Sequence, residues 1–332
     1  MSGDRAGVPR RHGRPPEAGY FAGLWKPLGY RSAALELPGL SLKFDGMDDA
    51  WWVAFLARYA PYARDTTTDR GAFDLTLSAT RDDKAGSQGW HIEPPRDGEV
   101  EYNPVFLEAA PDGAAGGGNY RIRVCTYSLA ASFSSAGGRG PAVFASGAPL
   151  PIDPRERAVE NIVRVAVAWL ALSRGGLLIH AASIVRDGRA WLFFGQSGAG
   201  KSTLAASSRR GQVVSDDLTL LLPGPEGPEV VGAPFRGTYQ GGEPVKGRFP
   251  IAAAFRLHKA GPSDPPAVEP MPLGSAMADA IANLPFVVDQ LPGRPELFEV
   301  VERVLTAIPM RALRFRKEDD SWWDAVDAAG LL

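Results

Sequence analysis

Between Gly195 and Ser202 the chain reads Gly195-Gln196-Ser197-Gly198-Ala199-Gly200-Lys201-Ser202, a complete G-x-x-x-x-G-K-S loop. Each residue type has a reason to stand at that spacing. Glycines let consecutive backbone N–H groups turn inward around phosphate oxygens with no Cβ in the way. The lysine reaches β- and γ-phosphates, and the serine hydroxyl is placed to ligate Mg²⁺. Thr203 carries the run into a helix whose amino end adds a favourable field for anions. The chemistry indicated is the holding of a nucleoside triphosphate, so ATP and Mg²⁺ are the expected ligand and cofactor.

Two further features bear on what is done with the phosphates. Gln212-Val213-Val214-Ser215 reads as a short strand ending in Asp216-Asp217. A right-handed crossover through the loop's helix sets it parallel to the strand before the loop. Its carboxyl end then faces the phosphates. Two carboxylates there can divide the work, one binding or orienting Mg²⁺ and one taking a proton from an attacking hydroxyl. The second feature is Asp187-Gly188, a strong two-residue hairpin signal. If Arg186 pairs with Arg189 across that turn, His180 falls opposite Gly195. The candidate catalytic residues are therefore Lys201, Asp216, Asp217 and His180, with Ser202 and Asp217 as candidate Mg²⁺ ligands. Among the basic residues downstream (Arg236, Lys246, Arg248, Arg256), Arg236 is the preferred candidate for holding phosphate or substrate, because it sits in a Pro-Phe-Arg-Gly turn.

The elements that must position these groups are legible around them. Residues 177–185 and 190–194 are apolar strands flanking the hairpin turn. Before them, Asp153-Pro154-Arg155-Glu156 has the form of a capping box. It opens an apolar helix that runs to about Ser173 and is closed by Gly175-Gly176. After the site, Leu297, Val300, Val301, Val304, Leu305 and Ile308 follow the spacing of a helix with one buried face. Leu313 and Phe315, alternating with Arg314 and Arg316, suggest a late strand. In the first half, Asp48 and Asp49 can cap a helix carrying Trp51, Trp52, Phe55, Leu56 and Tyr59. Phe73, Leu75 and Leu77, and again Tyr120, Ile122 and Val124, alternate as strands do. The glycine-rich run 113–119 lacks a following Lys-Ser and reads as a loop between strands.

The chain has 332 residues, enough for two domains at roughly 150 residues each. The Gly-, Ser-, Ala- and Pro-rich stretch 134–151 marks the boundary. The expected organisation is a flexible N-terminal extension over 1–35, an α+β recognition domain over 36–150 and the P-loop domain over 151–332. Arg5, Arg10, Arg11 and Arg14 read as part of a solvated terminus. Hydrophobic residues at 45% and charged residues at 22% describe an ordinary globular chain, not a disordered one. A net charge of −2 provides no global basic field for nucleic acid or an acidic membrane. The single cysteine, Cys125, excludes an internal disulfide and a cysteine-ligated cluster. His12, His91 and His258 show no metal-ligand spacing. No apolar run reaches the ~18–20 residues of a membrane span, and the N-terminus lacks a secretory apolar stretch. A cytoplasmic location is expected. Trp51-Trp52 and Trp322-Trp323 receive no functional role, and Glu318-Asp319-Asp320 reads as a solvated acidic turn.

Taken together, His180-Ala181-Ala182-Ser183, the Asp-Gly hairpin, the loop into Thr203 and Val213-Val214-Ser215-Asp216-Asp217 resemble the catalytic domain of HPr kinase/phosphorylase. They look closer still to the HPr-kinase-related serine kinases of peptide natural-product clusters, including lasso-peptide kinases. The resemblance is strong over 177–222, and 232–237 and 308–316 look like segments of the same group. It implies a P-loop kinase-like α/β domain with a mixed sheet, preceded by a smaller α+β domain. It also implies ATP- and Mg²⁺-dependent phosphorylation of a serine on a peptide or protein, such as a natural-product precursor. By resemblance Asp216 is the general base and Asp217 assists with Mg²⁺, the order of the two roles being open, and His180 lies near the transferred phosphate. Alanine follows His180 where HPr kinases commonly have glycine, and their glycine-rich HPr-recognition signature is missing after the Asp pair. Both departures point away from HPr as acceptor. The residues alone also leave open an ATPase without a phosphoacceptor and a non-catalytic nucleotide-binding protein.

Overall fold

The computed structural model describes residues 14–21, 27–82, 105–112, 118–145, 153–239, 241–261, 263–317 and 320–331. Arg5, Arg10, Arg11, His12, His91, residues 113–117 and 146–152, Glu318 and Asp319 lie outside them. The first part of the chain forms β1 (Arg31–Leu37), β2 (Leu40–Met47), α1 (Asp49–Tyr59), β3 (Ala63–Asp65) and β4 (Leu75–Asp82). It continues through β5 (Phe106–Pro111), β6 (Tyr120–Cys125), β7 (Leu129–Ser134) and β8 (Gly138–Ala145). Then come α2 (Arg155–Ser173), β9 (Leu177–Arg186), β10 (Arg189–Phe194), α3 (Lys201–Ser207), β11 (Gln212–Ser215), β12 (Leu218–Pro223) and β13 (Pro228–Val231). The last elements are β14 (Arg248–Lys259), β15 (Ala267–Pro270), α4 (Leu273–Ile281), α5 (Pro295–Thr306), β16 (Met310–Phe315) and α6 (Trp322–Ala328). Among the described residues no helix is long and apolar enough to cross a membrane.

Local chemistry explains most of these boundaries. Asp48 caps α1 by accepting the Trp51 N–H at 2.7 Å. The helix then buries Trp51, Phe55 and Tyr59, the face its spacing predicts. The end of α2 is a Schellman closure: Gly176 N–H reaches the Ala171 carbonyl at 2.8 Å and Gly175 N–H the Leu172 carbonyl at 3.0 Å. Its start departs from expectation. Asp153 does not cap α2; its buried carboxylate accepts the Ser128 N–H at 2.9 Å, while Ser128 Oγ donates to the Asp153 carbonyl. The tertiary contact turns the carboxylate toward Ser128, and its other oxygen, Oδ1, is buried without a hydrogen-bond partner among the described residues.

The chain divides into two compact units. One comprises Met1–Ala33, Lys43–Phe55 and Thr66–Val165; the other comprises Ala34–Leu42, Leu56–Asp65 and Ala166–Leu332. The division therefore falls inside α2 and not in the 134–151 stretch, and α2 is buried from Ala158 to Leu172 except at Glu160 and Arg164. The expected tail over 1–35 also ends too late, because Arg31 already begins β1. Arg14 is ion-paired with Glu108 at 3.0 Å.

One eight-stranded sheet has the order β3-β1-β2-β4-β8-β7-β6-β5. In the other, β10-β9-β12-β13-β14 closes on itself through a parallel β10–β14 pairing, and β16 and β15 continue from β14. This mixed α/β arrangement makes a five-strand barrel-like ring. Because β14 is parallel to both β10 and β16, three strands end at one edge. The phosphate loop leaves β10 at that edge.

Candidate active site

The hairpin joining β9 to β10 sets the geometry. Asp187 at φ 53° and Gly188 at φ 75° make the left-handed pair of a type I′ turn. Arg189 faces Arg186, and the register holds without a break to Phe194 opposite Ala181. The pairing ends there, one residue short of Gly195 and His180, and the His180 N–H instead reaches the Asn283 carbonyl at 2.7 Å. On its other edge His180 faces Leu218 of β12. β11 and β12 lie along the same edge of β9, Ser215 facing Ser183 in the register that later pairs Leu218 with His180. Asp216 and Asp217 therefore interrupt a strand; they do not end one, as the sequence suggested. β11 does run in the same direction as β10, but β9 stands between them. His180 thus lies level with Leu218, one and two positions along the edge of β9 from the points that Asp217 and Asp216 reach, at the same end of these strands as the loop.

The loop is held from below by aromatic packing. Gly200 precedes α3 at φ 107°, and Phe315, buried at the end of β16, lies beneath it. Trp322 and Trp323, fully buried at the start of α6, donate to Ser207 Oγ at 3.4 Å and Ser208 Oγ at 3.2 Å. They anchor the far end of the short helix α3, so this pair belongs to the core. The first-turn N–H groups of Lys201, Ser202 and Thr203 have no carbonyl a turn earlier in the helix to bond. Lys201 Nζ donates to the carbonyls of Gly195 at 2.8 Å and Gln196 at 3.4 Å.

Burial pushes the Lys201 pKa below its ordinary 10.5, and the Asp217 charge pulls it partly back. In the window between that lowered value and 10.5 the unfolded chain holds a proton that the native state has released. Stability from this group therefore rises with pH across the window. Urea midpoints of wild type and Lys201→Met, measured from neutral pH upward, should diverge in favour of wild type as pH climbs. A constant gap would show that the ammonium bears no burial cost.

The two aspartates have different surroundings. Asp216 is 1% exposed. Its Oδ1 accepts the Gly237 N–H at 2.7 Å, and its Oδ2 accepts the N–H groups of Thr238 and Tyr239, each at 3.1 Å, and the Thr238 hydroxyl at 3.4 Å. Gly237 is needed for this approach, since a Cβ there would come within 3.0 Å of the Asp217 Cβ. Asp216 is thus a tether that folds residues 237–239 against the site. Asp217, with its side chain 23% exposed, places Oδ1 3.0 Å from His180 Nε2. Its own N–H donates to Ser215 Oγ, which donates to the Phe235 carbonyl. Both oxygens of Asp216 are therefore occupied by residues 237–239, whereas Asp217 places its Oδ1 against His180 in the cleft.

His180, both aspartates, Ser197, Gly198, Gly200, Lys201, Ser202 and Thr203 line one cleft of about 350 Å³. Gln196 and Ala199 serve the loop through backbone contacts, Ala199 N–H bonding the Gln196 carbonyl at 3.0 Å. Arg236 is not among the lining residues. Its guanidinium donates to the carbonyls of Val213, Val214, Gly241, Gly242 and Glu243, which corrects its expected phosphate role: it is a loop clamp. Lys246 donates to the Pro61 carbonyl, Arg248 pairs with Glu229 and Arg256 with Asp279. Three lining residues are not among the candidates read from the sequence, Gly237, Thr238 and Lys317. Lys317 stands just beyond a strand legible in the sequence, but only the parallel pairing of β10, β14 and β16 shows that this strand points at the loop.

Among the described residues no group of three or more His, Cys, Asp or Glu could hold a metal ion. Ser202 and Asp217 in the same cleft are a sparse oxygen donor set. They fit Mg²⁺, which keeps water and phosphate ligands and takes few from protein. A scan against protein-family models finds none that matches the chain, and a search of curated proteins finds no match either.

Proposed function

We propose that this cleft binds ATP with Mg²⁺ and transfers the γ-phosphoryl group to a serine hydroxyl of a peptide or protein, in a P-loop kinase-like domain of the HPr-kinase type. The observation that carries the reading is the Asp217–His180 pair at 3.0 Å, in the same cleft as the phosphate loop. Mg²⁺, when bound, would be held by Ser202 and Asp217 and would supply charge neutralisation at the phosphates. Lys201 and the loop N–H groups hold and orient the phosphates, and catalysis is chiefly positioning and charge stabilisation. Asp217 accepts the proton of the attacking hydroxyl. The new O–P bond forms as the bond to the leaving ADP oxygen breaks. His180 Nε2, donating to Asp217 Oδ1, fixes that carboxylate's orientation. Asp216 keeps residues 237–239 as one wall of the cleft.

The unit containing most of residues 36–150 is the natural place for acceptor recognition. Neither nucleic acid nor a membrane is a partner in this reading, and a cytoplasmic location, where ATP is at hand, belongs with it. Incubation with γ-labelled ATP, Mg²⁺ and serine-containing peptides tests it. Label on a peptide is the expected result. Free labelled phosphate without any acceptor would make the protein an ATPase, and tight binding without turnover would make it a nucleotide-binding protein.

A further inference from the structure

Phosphoryl transfer spreads negative charge over the oxygens of the moving group, and a site gains by facing that charge with more than one cation. In this cleft Lys201 is drawn onto the Gly195 and Gln196 carbonyls and stands against two carboxylates. The basic residues that follow the aspartates up to β14, Arg236, Lys246, Arg248 and Arg256, are all engaged elsewhere. Lys317 is not. It lines the cleft with Gly198, Gly200, Lys201 and Asp217, its side chain is exposed, and it has no ion pair among the described residues.

The fold sets this position firmly. β16 runs parallel to β14, and β14 to β10, so the chain after Phe315 emerges at the edge where the loop begins. Phe315 packs so closely under Gly200 that a Cβ there would meet its ring at 2.6 Å. Lys317, two residues on, is therefore carried beside the loop by a strand whose last side chain supports it. The loop amides and Lys201 serve the phosphates that the loop encloses. A cation supplied from outside the loop meets the phosphate that projects from it.

We infer that Lys317 is the second phosphate-holding cation of this cleft, meeting the terminal phosphate of a bound nucleoside triphosphate and the charge that grows there on transfer. This rests on the nucleotide reading above. The test is the affinity of wild type, Lys317→Ala and Lys317→Arg for a non-hydrolysable ATP analogue and for ADP, with Mg²⁺. Lys317→Ala should lose about tenfold in triphosphate affinity, the scale of one charged hydrogen bond, while ADP binding stays nearly unchanged. Lys317→Arg should restore most of the loss, and the wild-type preference for triphosphate should shrink as ionic strength rises. An unchanged melting temperature in Lys317→Ala is expected of an exposed side chain. Wild-type binding with an unaltered triphosphate-to-diphosphate ratio in Lys317→Ala overturns this inference alone. Wild type binding neither nucleotide overturns the nucleotide reading and this inference with it.

Discussion

Asp217→Asn should abolish phosphoryl transfer while Mg²⁺-free nucleotide binding survives, and Asp216→Asn should do something different. The contrast follows from what each carboxylate touches. Asp217 meets His180 at 3.0 Å and faces the cleft. Removing its charge takes away the proton acceptor, a loss of about 10²–10⁴ in rate, with little effect on folding because the group is partly exposed. Asp216 is buried, and its carboxylate accepts from donors on residues 237–239. An amide NH₂ in its place confronts backbone N–H groups, and each charged hydrogen bond lost costs about 1.5–3 kcal/mol. At about 2–4 °C per kcal/mol for a domain of this size, Asp216→Asn should melt several degrees lower. Single-turnover rates and thermal melts on both variants decide the matter. Asp216→Asn losing transfer at an unchanged melting temperature would return the base to Asp216.

That pair also shows where sequence reasoning reaches and where it stops. The glycine-rich loop between β10 and α3, the hairpin register from Arg186–Arg189 to Ala181–Phe194, the cap of α1 and the closure of α2 are all local. Each depends on residues within a few positions of one another, so composition and spacing are enough to find them. The roles of Asp216 and Asp217 are not local. Identical side chains at adjacent positions differ only because residues 237–239 come back to occupy one of them. Arg236 was misread for the same reason: its neighbours in sequence suggest a turn, while the five carbonyls that consume its donors arrive with the folded loop. Asp153 has the right spacing for a cap, yet its carboxylate is turned toward Ser128. Lys317 went unnoticed because the parallel β10–β14–β16 pairing joins strands far apart in the chain, which no short-range pattern encodes.

The second large effect should come from a single methyl group. Gly200→Ala places a Cβ 2.6 Å from Phe315 Cζ, at a backbone φ of 107°. The left-handed conformation costs an L-residue about 1–2 kcal/mol, and forcing extra volume into a packed region costs about 1–3 kcal/mol more. Neither strain is easily relieved. Phe315 is 1% exposed and belongs to the core formed with Phe193, Trp322 and Trp323, so its ring has nowhere to turn. The loop must move instead, and the N–H groups that follow Gly200 move with it. Gly200→Ala should therefore both melt lower and lose most of its nucleotide affinity, read by thermal melts and titration calorimetry. Gly198→Ala is the control: its φ of 77° carries a similar backbone cost, but a Cβ there meets nothing within 4 Å. Trimming the ring in Gly200→Ala/Phe315→Leu should recover the part of the loss due to the clash and leave the part due to φ. Equal melting temperatures for Gly200→Ala and Gly198→Ala would show that Phe315 does not support the loop.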